Sequence, residues 1–329
     1  MTGPMDDLGL GDLRDLADAT VLVAAASDAG LFEALHAAPG SAQELADRME
    51  YDPRATRIVL QALVETGLVE EAEGRFRLTD RGARELGDPE APGFVGRGLP
   101  HWLRAIRAAT RLGEVLRRGG PLEPHAPRRA PVDVARFTSA MSAAPPERIR
   151  RMVDLCLARN PGARSVLDLG GGPGHVTRAF VDRGLRATLF DTPDIVAHVA
   201  DAFGLRDVPG LDLAAGDFNR DPLPPGPFDV VLLSNVIHIY GEDTVAALLG
   251  NAAGVVAPGG VLAVAEFLRG HSRRAAPMGV RMLLRTEAGD TWSEEAITGW
   301  LEGAGLGDVR VDDLDEDRQL VTAVRGSPP

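Results

Sequence analysis

Residues 166–174 read VLDLGGGPG, an apolar run that passes directly into a glycine-rich turn. A helical pattern begins near His175, so this stretch predicts a strand, a turn and a helix. Glycine adopts backbone conformations that other residues avoid, and it lets a bulky group approach the main chain closely. Ligands of open α/β sheets lie beyond the carboxyl ends of the strands, and we therefore expect a binding site at this turn.

The spacing of the glycines separates two kinds of ligand. A dinucleotide site has the pattern G-x-G-x-x-G, but the third position counted from Gly170 is His175. The chain instead has G-x-G-x-G, with Gly172 as its second glycine and Asp168 in front, which resembles the first motif of class I methyltransferases. A carboxylate before the turn attracts a ligand with a cationic amino-acid end, whereas it repels a pyrophosphate.

Alternating strands and helices follow this turn, as in a doubly wound α/β fold. Strands are predicted for SVLDLG from 165, ATLFD from 187, LDLAAGDF from 211, DVVLLSNV from 229 and VLAVAEFL from 261, with APGG at 257–260 ending the helix before the last of these. Two more strands, DVRVDDL and QLVTAVRG, are joined by a short link and must be antiparallel, because a parallel crossover needs a dozen residues or more. The sequence therefore predicts a seven-stranded mixed sheet.

Polar and aromatic side chains recur at the ends of the next three strands. Asp191 ends the second strand, where an acid can accept hydrogen bonds from both hydroxyls of a ribose. Asp217 and Phe218 end the third strand, and they offer an acceptor for an adenine amino group and a ring to stack on the base. Ser234 and Asn235 end the fourth strand. Because parallel strands end at one edge of a sheet, we expect these residues to face one crevice.

The first part of the chain has the pattern of a winged helix. Helices are predicted over 12–38, from Ser41 and over 52–66, and a hairpin follows at 68–79. A winged helix that reads DNA carries clustered basic residues, whereas the third helix offers only Arg54 and Arg57. A packing or dimerisation module is therefore favoured, and a winged-helix regulator is the remote alternative.

The domain boundary is placed after a second group of helices. Helices are predicted over 94–118, 132–143 and 146–159, and the proline- and glycine-rich segment 119–131 between the first two is a linker. We expect a helical winged-helix domain with linker and substrate-cleft helices over 1–145, and a catalytic α/β domain over 146–329.

Charge and hydropathy exclude several classes of partner. The 329 residues include 48 acids and 35 bases, all of them arginine, for a formal charge of −13. Such a surface repels phosphate backbones, so no nucleic-acid partner is expected. The sequence has no signal-peptide pattern at its start and no apolar run long enough for a bilayer, and we expect a cytoplasmic enzyme without a membrane partner.

The motifs LDLGGGPG, FDTPDI, GDF, SNVIH, APGG and VAEF, in that order behind a winged-helix half, resemble a known family. It is the family of small-molecule O-methyltransferases that includes plant caffeic acid methyltransferases and bacterial anthracycline and phenazine methyltransferases. The resemblance implies a Rossmann-like class I methyltransferase domain, S-adenosylmethionine as cofactor with S-adenosylhomocysteine as product, a homodimer built by the N-terminal domain, a small-molecule acceptor and no metal. It implies a general base at His238 and cofactor contacts at Gly170, Asp191, Asp217, Phe218 and Ser234.

The expected chemistry is methylation of a hydroxylated aromatic secondary metabolite. Ionising a phenol of pKa near 10 at neutral pH costs about 4 kcal/mol, and an imidazole can take the proton during the attack. The resemblance also implies two glutamates beside His238. Glu266 matches the first, but the second falls on Thr291, or on Asp290 after a shift of one residue. Methylation of carbon or nitrogen, or a reaction without methyl transfer, therefore stays an alternative.

A second departure from the family pattern concerns the residues after the histidine. Ile239 and Tyr240 stand where most relatives have aspartate and tryptophan. The acceptor pocket is predicted to lie between the domains. Its candidate walls are Trp102, Phe137, Met141, Met278, Met282 and Trp292.

Overall fold

The computed structural model describes residues 8–88, 94–122 and 131–326. The chain divides into two compact units, Met1–Thr110 and Arg111–Pro329. The helices on either side of the predicted linker therefore group with the second unit, and residues 123–130 of that linker lie outside the described residues. The domain boundary drawn at 145/146 from the sequence stays a prediction.

Helices of the first unit begin where the sequence supplies caps. Ser41 accepts a hydrogen bond from the amide of Glu44, whose carboxylate bonds back to the Ser41 amide, and Asp52 caps the next helix ahead of Pro53. These interactions satisfy amide groups that the first turn of a helix leaves without partners. The helices of this unit are α1 (Leu10–Asp28), α2 (Leu31–Ala37), α3 (Ala42–Met49), α4 (Pro53–Val64), α5 (Asp80–Gly82) and α6 (Leu99–Ala109).

A hairpin completes the first unit. Strands β1 (Val69–Ala72) and β2 (Arg75–Leu78) pair antiparallel around Glu73 and Gly74, both of which have positive φ as a tight two-residue turn requires. The helices and the hairpin enclose a core of their own around Phe32. The order of helices and hairpin matches the sequence pattern, whereas the winged-helix assignment itself stays a prediction.

The second unit is built on one large sheet. Its strands are β3 (Ser165–Leu169), β4 (Arg186–Asp191), β5 (Leu211–Ala215), β6 (Phe228–Ser234), β7 (Val256–Glu266), β8 (Leu306–Asp313) and β9 (Gln319–Arg325). They lie in the order β5-β4-β3-β6-β7-β9-β8. The first five are parallel, and β9 runs antiparallel to both β7 and β8. The predicted seven-stranded mixed sheet is confirmed.

Helices cover both faces of this sheet and bury its apolar residues, as is usual for sheets built mainly of parallel strands. One layer packs around Leu233 and Leu249, and the other packs around Val230 and Phe180. The helices of this unit are α7 (Leu112–Arg118), α8 (Pro131–Ser142), α9 (Pro146–Arg159), α10 (His175–Val181), α11 (Pro193–Ala202), α12 (Glu242–Gly254), α13 (Ala275–Arg285) and α14 (Glu294–Gly303). Within the described residues, none of the helices combines the length and the apolar character that crossing a bilayer requires.

Three element boundaries differ from the sequence prediction. The helix predicted over 12–38 is broken at Gly30, which has a φ of 76°, and the helix predicted over 94–118 is broken between α6 and α7. The APGG segment lies inside β7 and does not end α12, because Phe228 pairs with Val256 before a register shift. Periodicity alone did not reveal that these residues extend the strand.

Asp229 accepts hydrogen bonds from residues at the start of β3, and its replacement tests whether these bonds stabilise the sheet. Its Oδ2 accepts hydrogen bonds from the Arg164 amide, the Ser165 amide and the Ser165 hydroxyl at 2.8–3.0 Å. Asp229→Ala leaves these donors unpaired, and we expect the free energy of unfolding to fall by about 2 kcal/mol in urea titrations. Asp212→Ala, at an exposed acid of β5, is the matched control and should change it by less than about 0.5 kcal/mol. Equal effects of the two substitutions would contradict this role.

Candidate active site

Glycines form the floor of the site at the end of β3. Gly170, Gly172 and Gly174 all have positive φ, a conformation that strains other residues. A Cβ on Gly170 would come within 2.6 Å of Val236, and one on Gly174 within 2.4 Å of Leu205. At Gly172 a Cβ would meet only the Gly170 carbonyl at 4.0 Å, so this glycine borders open space. Gly170 and Gly174 are therefore too closely packed to carry a side chain, whereas the main chain at Gly172 is accessible.

Two aspartates, Asp191 and Asp168, lie next to the glycine turn and accept hydrogen bonds there. Asp191, the last residue of β4, accepts a hydrogen bond from the Gly172 amide at 2.9 Å and from the Thr192 amide at 2.7 Å. Asp168 is buried below the turn and accepts a hydrogen bond from the Thr177 hydroxyl at 2.6 Å. Burial raises the pKa of Asp168 to about 6; the Thr177 hydrogen bond opposes this rise, and the Asp191 carboxylate adds to it.

A cavity of about 690 Å³ opens above this turn, within the second unit. Its volume lies within the roughly 300–1,000 Å³ range of small-molecule sites. All eight residues predicted to bind the cofactor line it, together with Phe137 and Met141 of the acceptor set. Those eight are Asp168, Gly170, Gly172, Asp191, Asp217, Phe218, Ser234 and Asn235.

The far end of the cavity is formed by the loop that follows β5. This strand ends at Ala215, so Asp217 and Phe218 lie beyond the strand and not at its last residues, as the sequence pattern had suggested. Phe218 is buried and packs edge to face against Tyr240, with 6.0 Å between the ring centroids. Asp217 is partly exposed, and its Oδ1 accepts a hydrogen bond from the Asn219 amide at 3.0 Å.

Asn235 lines the same cavity and has an unsatisfied side-chain oxygen. It follows β6 in the left-handed conformation, and its side-chain amide donates to the Ser234 hydroxyl at 3.2 Å. Its Oδ1 is buried and has no hydrogen-bond partner among the described residues. A buried acceptor without a donor is costly, and a ligand that donates a hydrogen bond would remove that cost.

His238 lies in the short 3₁₀ turn Ile237–Ile239 that follows β6. Its Nδ1 lies 2.8 Å and 3.0 Å from the two carboxylate oxygens of Glu266, the last residue of β7. The pairing of Ser234 with Ala265 in adjacent strands brings these two side chains together although they are 28 residues apart. Both are buried, and His238 Nε2 has no hydrogen-bond partner among the described residues.

Glu266 is the carboxylate that contacts His238, and neither candidate for a second glutamate does so. Thr291 donates its hydroxyl to the Ala275 carbonyl, and Asp290 pairs with Arg269 at 2.7 Å. Burial alone would raise the pKa of Glu266, but His238 and the charge of Arg318 outweigh it and lower that pKa. Glu266 is therefore ionised at neutral pH.

Several predicted residues lie outside the cavity lining. His238 and Glu266 adjoin it through Ile239 and Tyr240, which do line it. Trp292 packs edge to face on Trp300 and donates its indole hydrogen to the Ile237 carbonyl at 3.2 Å. The other members of the acceptor set outside the lining are Met278 and Met282 on α13 and the 44% exposed Trp102 on α6.

The cavity also contains residues that the sequence did not single out. Arg318, Arg148 and Thr286 line it. Arg318 lies in an acidic turn between β8 and β9, where an arginine looks like an ordinary surface residue. Among the described residues there is no group of three side chains suited to hold a metal ion.

Comparison with known proteins identifies the family. A model of an O-methyltransferase domain matches residues 141–306, and a model of an O-methyltransferase dimerisation domain matches residues 16–86. The 3-hydroxy-5-methyl-1-naphthoate 3-O-methyltransferase of Streptomyces sahachiroi is 31% identical over 91% of this chain and 90% of its own length. The chain belongs to the O-methyltransferase family.

A further relative agrees with this family assignment, and a solved structure shares the fold. The tetracenomycin polyketide synthesis 8-O-methyl transferase TcmO of Streptomyces glaucescens is 31% identical over 92% of this O-methyltransferase and 93% of its own length. Human N-acetylserotonin methyltransferase, solved in complex with SAM, has the same fold with a TM-score of 0.85 and 23% identity, over 99% of this chain and 100% of that one. This O-methyltransferase uses S-adenosylmethionine as its methyl donor.

The residues around the glycine turn fit that cofactor. S-adenosylmethionine carries an ammonium group, a ribose and an adenine, all of which donate hydrogen bonds. The cavity offers matching acceptors in Asp168, Asp191, Asp217 and the unsatisfied Oδ1 of Asn235. Gly172 leaves the main chain accessible beside them.

The raised pKa of Asp168 leads to a testable expectation for cofactor affinity. The carboxylate is charged above about pH 6 and becomes protonated below it, so an attraction between Asp168 and the ammonium group would be lost as the pH falls. We expect the affinity for S-adenosylhomocysteine, measured by calorimetry, to fall between pH 7.5 and 5.5. Asp168→Asn should bind weakly at pH 7.5 and show a flatter pH dependence, whereas the exposed-site control Asp212→Asn should behave as the wild type does. An affinity independent of pH over this interval would contradict the role of Asp168.

Proposed function

We propose that this O-methyltransferase methylates a hydroxyl oxygen of an aromatic small molecule, with His238 as the general base and Glu266 as the residue that orients it. The hydrogen-bonded His238–Glu266 pair beside the cavity carries the proposal. Two relatives support the acceptor class, since one acts on a hydroxynaphthoate and the other in tetracenomycin polyketide synthesis.

The contact with Glu266 determines which nitrogen of His238 can act. An ionised carboxylate only accepts hydrogen bonds, so Nδ1 must carry the proton of the neutral imidazole. Nε2 then has a free lone pair and can take the proton of an acceptor hydroxyl. The negative charge of Glu266 also stabilises the imidazolium that this transfer produces.

Neighbouring groups hold the histidine turn in place. Trp292 donates a hydrogen bond to the Ile237 carbonyl at 3.2 Å. Gly289 packs so closely that an added Cβ would lie 2.5 Å from the His238 carbonyl oxygen. A base fixed in position raises the rate because less freedom is lost on reaching the transition state. Trp292 and Gly289 are thus positioning residues for His238.

Each cofactor-binding residue has a role that follows from its atoms. When bound, S-adenosylmethionine supplies an electrophilic methyl group on a sulfonium. Asp168 and Asn235 would bind the ammonium end, Asp191 the ribose hydroxyls, and Asp217 and Phe218 the adenine. Ser234 would orient Asn235 through the hydrogen bond between their side chains.

Substitution of the pair tests the base. His238→Ala removes the proton acceptor, and we expect kcat with a phenolic acceptor to fall by about 10²–10⁴-fold. Glu266→Gln removes the charge that fixes the tautomer, and the loss should be on the order of 10²-fold. The affinity for S-adenosylhomocysteine should not change in either variant.

An exposed histidine provides the control for this experiment. His271 contacts Glu294 at 2.7 Å on the surface, so it has the same type of partner without the cavity. His271→Ala should keep wild-type kcat. Full turnover by His238→Ala would rule out the base and would favour an amine or carbon acceptor.

The first unit is proposed to form a homodimer. Helix α1 has 19 residues but buries only Ala24 and Ala26, whereas Leu16 and Val21 are 52% and 39% exposed. Most of the stability of a helix in a protein comes from packing of its apolar face, and part of the apolar surface of α1 is left exposed. The match to a dimerisation-domain model over residues 16–86 supports a second copy of this chain as the covering partner.

Charge placed on α1 tests the dimer. Leu16→Glu combined with Val21→Glu buries carboxylates in the proposed interface, and we expect a monomer by light scattering after size exclusion. Leu116→Glu, at a 66% exposed leucine of α7, is the control and should leave the dimer intact. A dimer that survives the double substitution would contradict the assignment of α1 to the interface.

A further inference from the structure

Arg318 lines the cavity with a guanidinium group that has no ion pair among the described residues. Its Nε is buried and makes no hydrogen bond, and the group forms no ion pair with any described carboxylate. The guanidinium carbon lies 3.8 Å from the centre of the Phe267 ring, so stacking fixes the group. Burial, with repulsion from Arg148, lowers the pKa of Arg318 to about 10, which leaves it charged at neutral pH.

The acids near Arg318 each have a shorter contact with another group. Glu266 contacts the His238 imidazole at 2.8 Å, and Asp317 pairs with Arg274 at 2.9 Å. Asp315 pairs with Arg148 and also accepts hydrogen bonds from two backbone amides. The charges of Glu266, Asp315 and Asp317 favour the charged form of Arg318, but none of these acids forms an ion pair with it.

Arg318 lines the cavity on the side of the catalytic pair. It precedes Gln319, which pairs with Glu266 across β9 and β7. The glycine turn follows β3, three strand intervals away in the sheet, or about 14 Å at the usual strand spacing. Arg318 therefore lies near the proposed base and three strand intervals from the glycine turn.

We propose that Arg318 binds a carboxylate of the acceptor, so that the substrates are hydroxylated aromatic acids. A planar guanidinium presents paired donors that match the two oxygens of a carboxylate. A charge held without a partner in a cavity is costly, and an anionic ligand supplies the missing partner. The inference rests on the proposed function, because it names a feature of the same acceptor.

A pair of probes that differ only in the carboxylate tests the inference. Binding of 3-hydroxy-1-naphthoate and of 2-naphthol is measured by calorimetry on enzyme saturated with S-adenosylhomocysteine. Wild-type enzyme should prefer the naphthoate. Arg318→Met should weaken naphthoate binding by about tenfold or more and leave naphthol binding unchanged. Equal preference in wild type and variant, or no saturable binding of the naphthoate, overturns the inference.

Arg281 provides the matched control variant. It is also partly buried and has no ion pair among the described residues, but it does not line the cavity. Arg281→Met should leave the preference for the naphthoate intact. Loss of the preference in this variant would assign the effect to overall charge and contradict a specific role of Arg318.

The cofactor carries a carboxylate too, and a second pair of probes separates this source. S-adenosylhomocysteine has the amino-acid end, whereas 5′-methylthioadenosine lacks it. Arg318→Met should bind both with wild-type affinity. Weaker binding of S-adenosylhomocysteine alone would assign Arg318 to the cofactor carboxylate and overturn the inference.

Thermal unfolding distinguishes ligand binding from a structural role. Methionine keeps the apolar contact with Phe267 and removes an unpaired charge, so Arg318→Met should unfold at the same or a higher temperature than wild type. A clearly lower unfolding temperature would indicate a structural residue and contradict the inference.

Naphthoate that binds through Arg318 without being methylated would leave the inference standing and contradict the proposed function. Methylation of naphthol with no preference for the naphthoate would contradict the inference and leave the proposed function standing.

Discussion

Hydrogen bonding of β3 between β4 and β6 places three strand ends side by side, and the site depends on that arrangement. The parallel register brings Asp191 against the Gly172 amide and sets the turn after β6 beside the glycine turn. One more parallel strand, β7, brings Glu266 to His238. Without this register none of these side chains, which are far apart in the chain, would meet.

Two residues that line the cavity carry a buried polar atom without a hydrogen-bond partner among the described residues. These atoms are Asn235 Oδ1 and Arg318 Nε, and Asp168 in the same lining is a buried acid with a raised pKa. Such groups reduce the stability of the folded protein, because burial removes water without supplying a full set of partners. Their common position in the cavity lining is explained if bound ligands supply the missing partners. Groups that lower the stability of the free protein would then gain partners when a ligand binds.

The sheet and the position of eight residues around one cavity could be predicted because their signals are local. A strand, a glycine turn and acids at successive strand ends are all visible in short segments, and the cavity lining contains all eight predicted cofactor residues. Long-range geometry was not visible. The antiparallel β9 brings Arg318 to the edge of the sheet that carries the site, although the segment DLDEDRQL reads as an exposed turn. Trp292, expected as a pocket wall, lies outside the cavity lining and donates a hydrogen bond to the Ile237 carbonyl.

A crystal structure of the enzyme with S-adenosylhomocysteine and a hydroxylated aromatic acid tests the central claim most directly. The account predicts the amino group beside Asp168 and Asn235, the ribose on Asp191 and the acceptor hydroxyl within hydrogen-bond distance of His238 Nε2. A cofactor bound away from the glycine turn, or an acceptor hydroxyl that faces away from His238 in a productive complex, would contradict it.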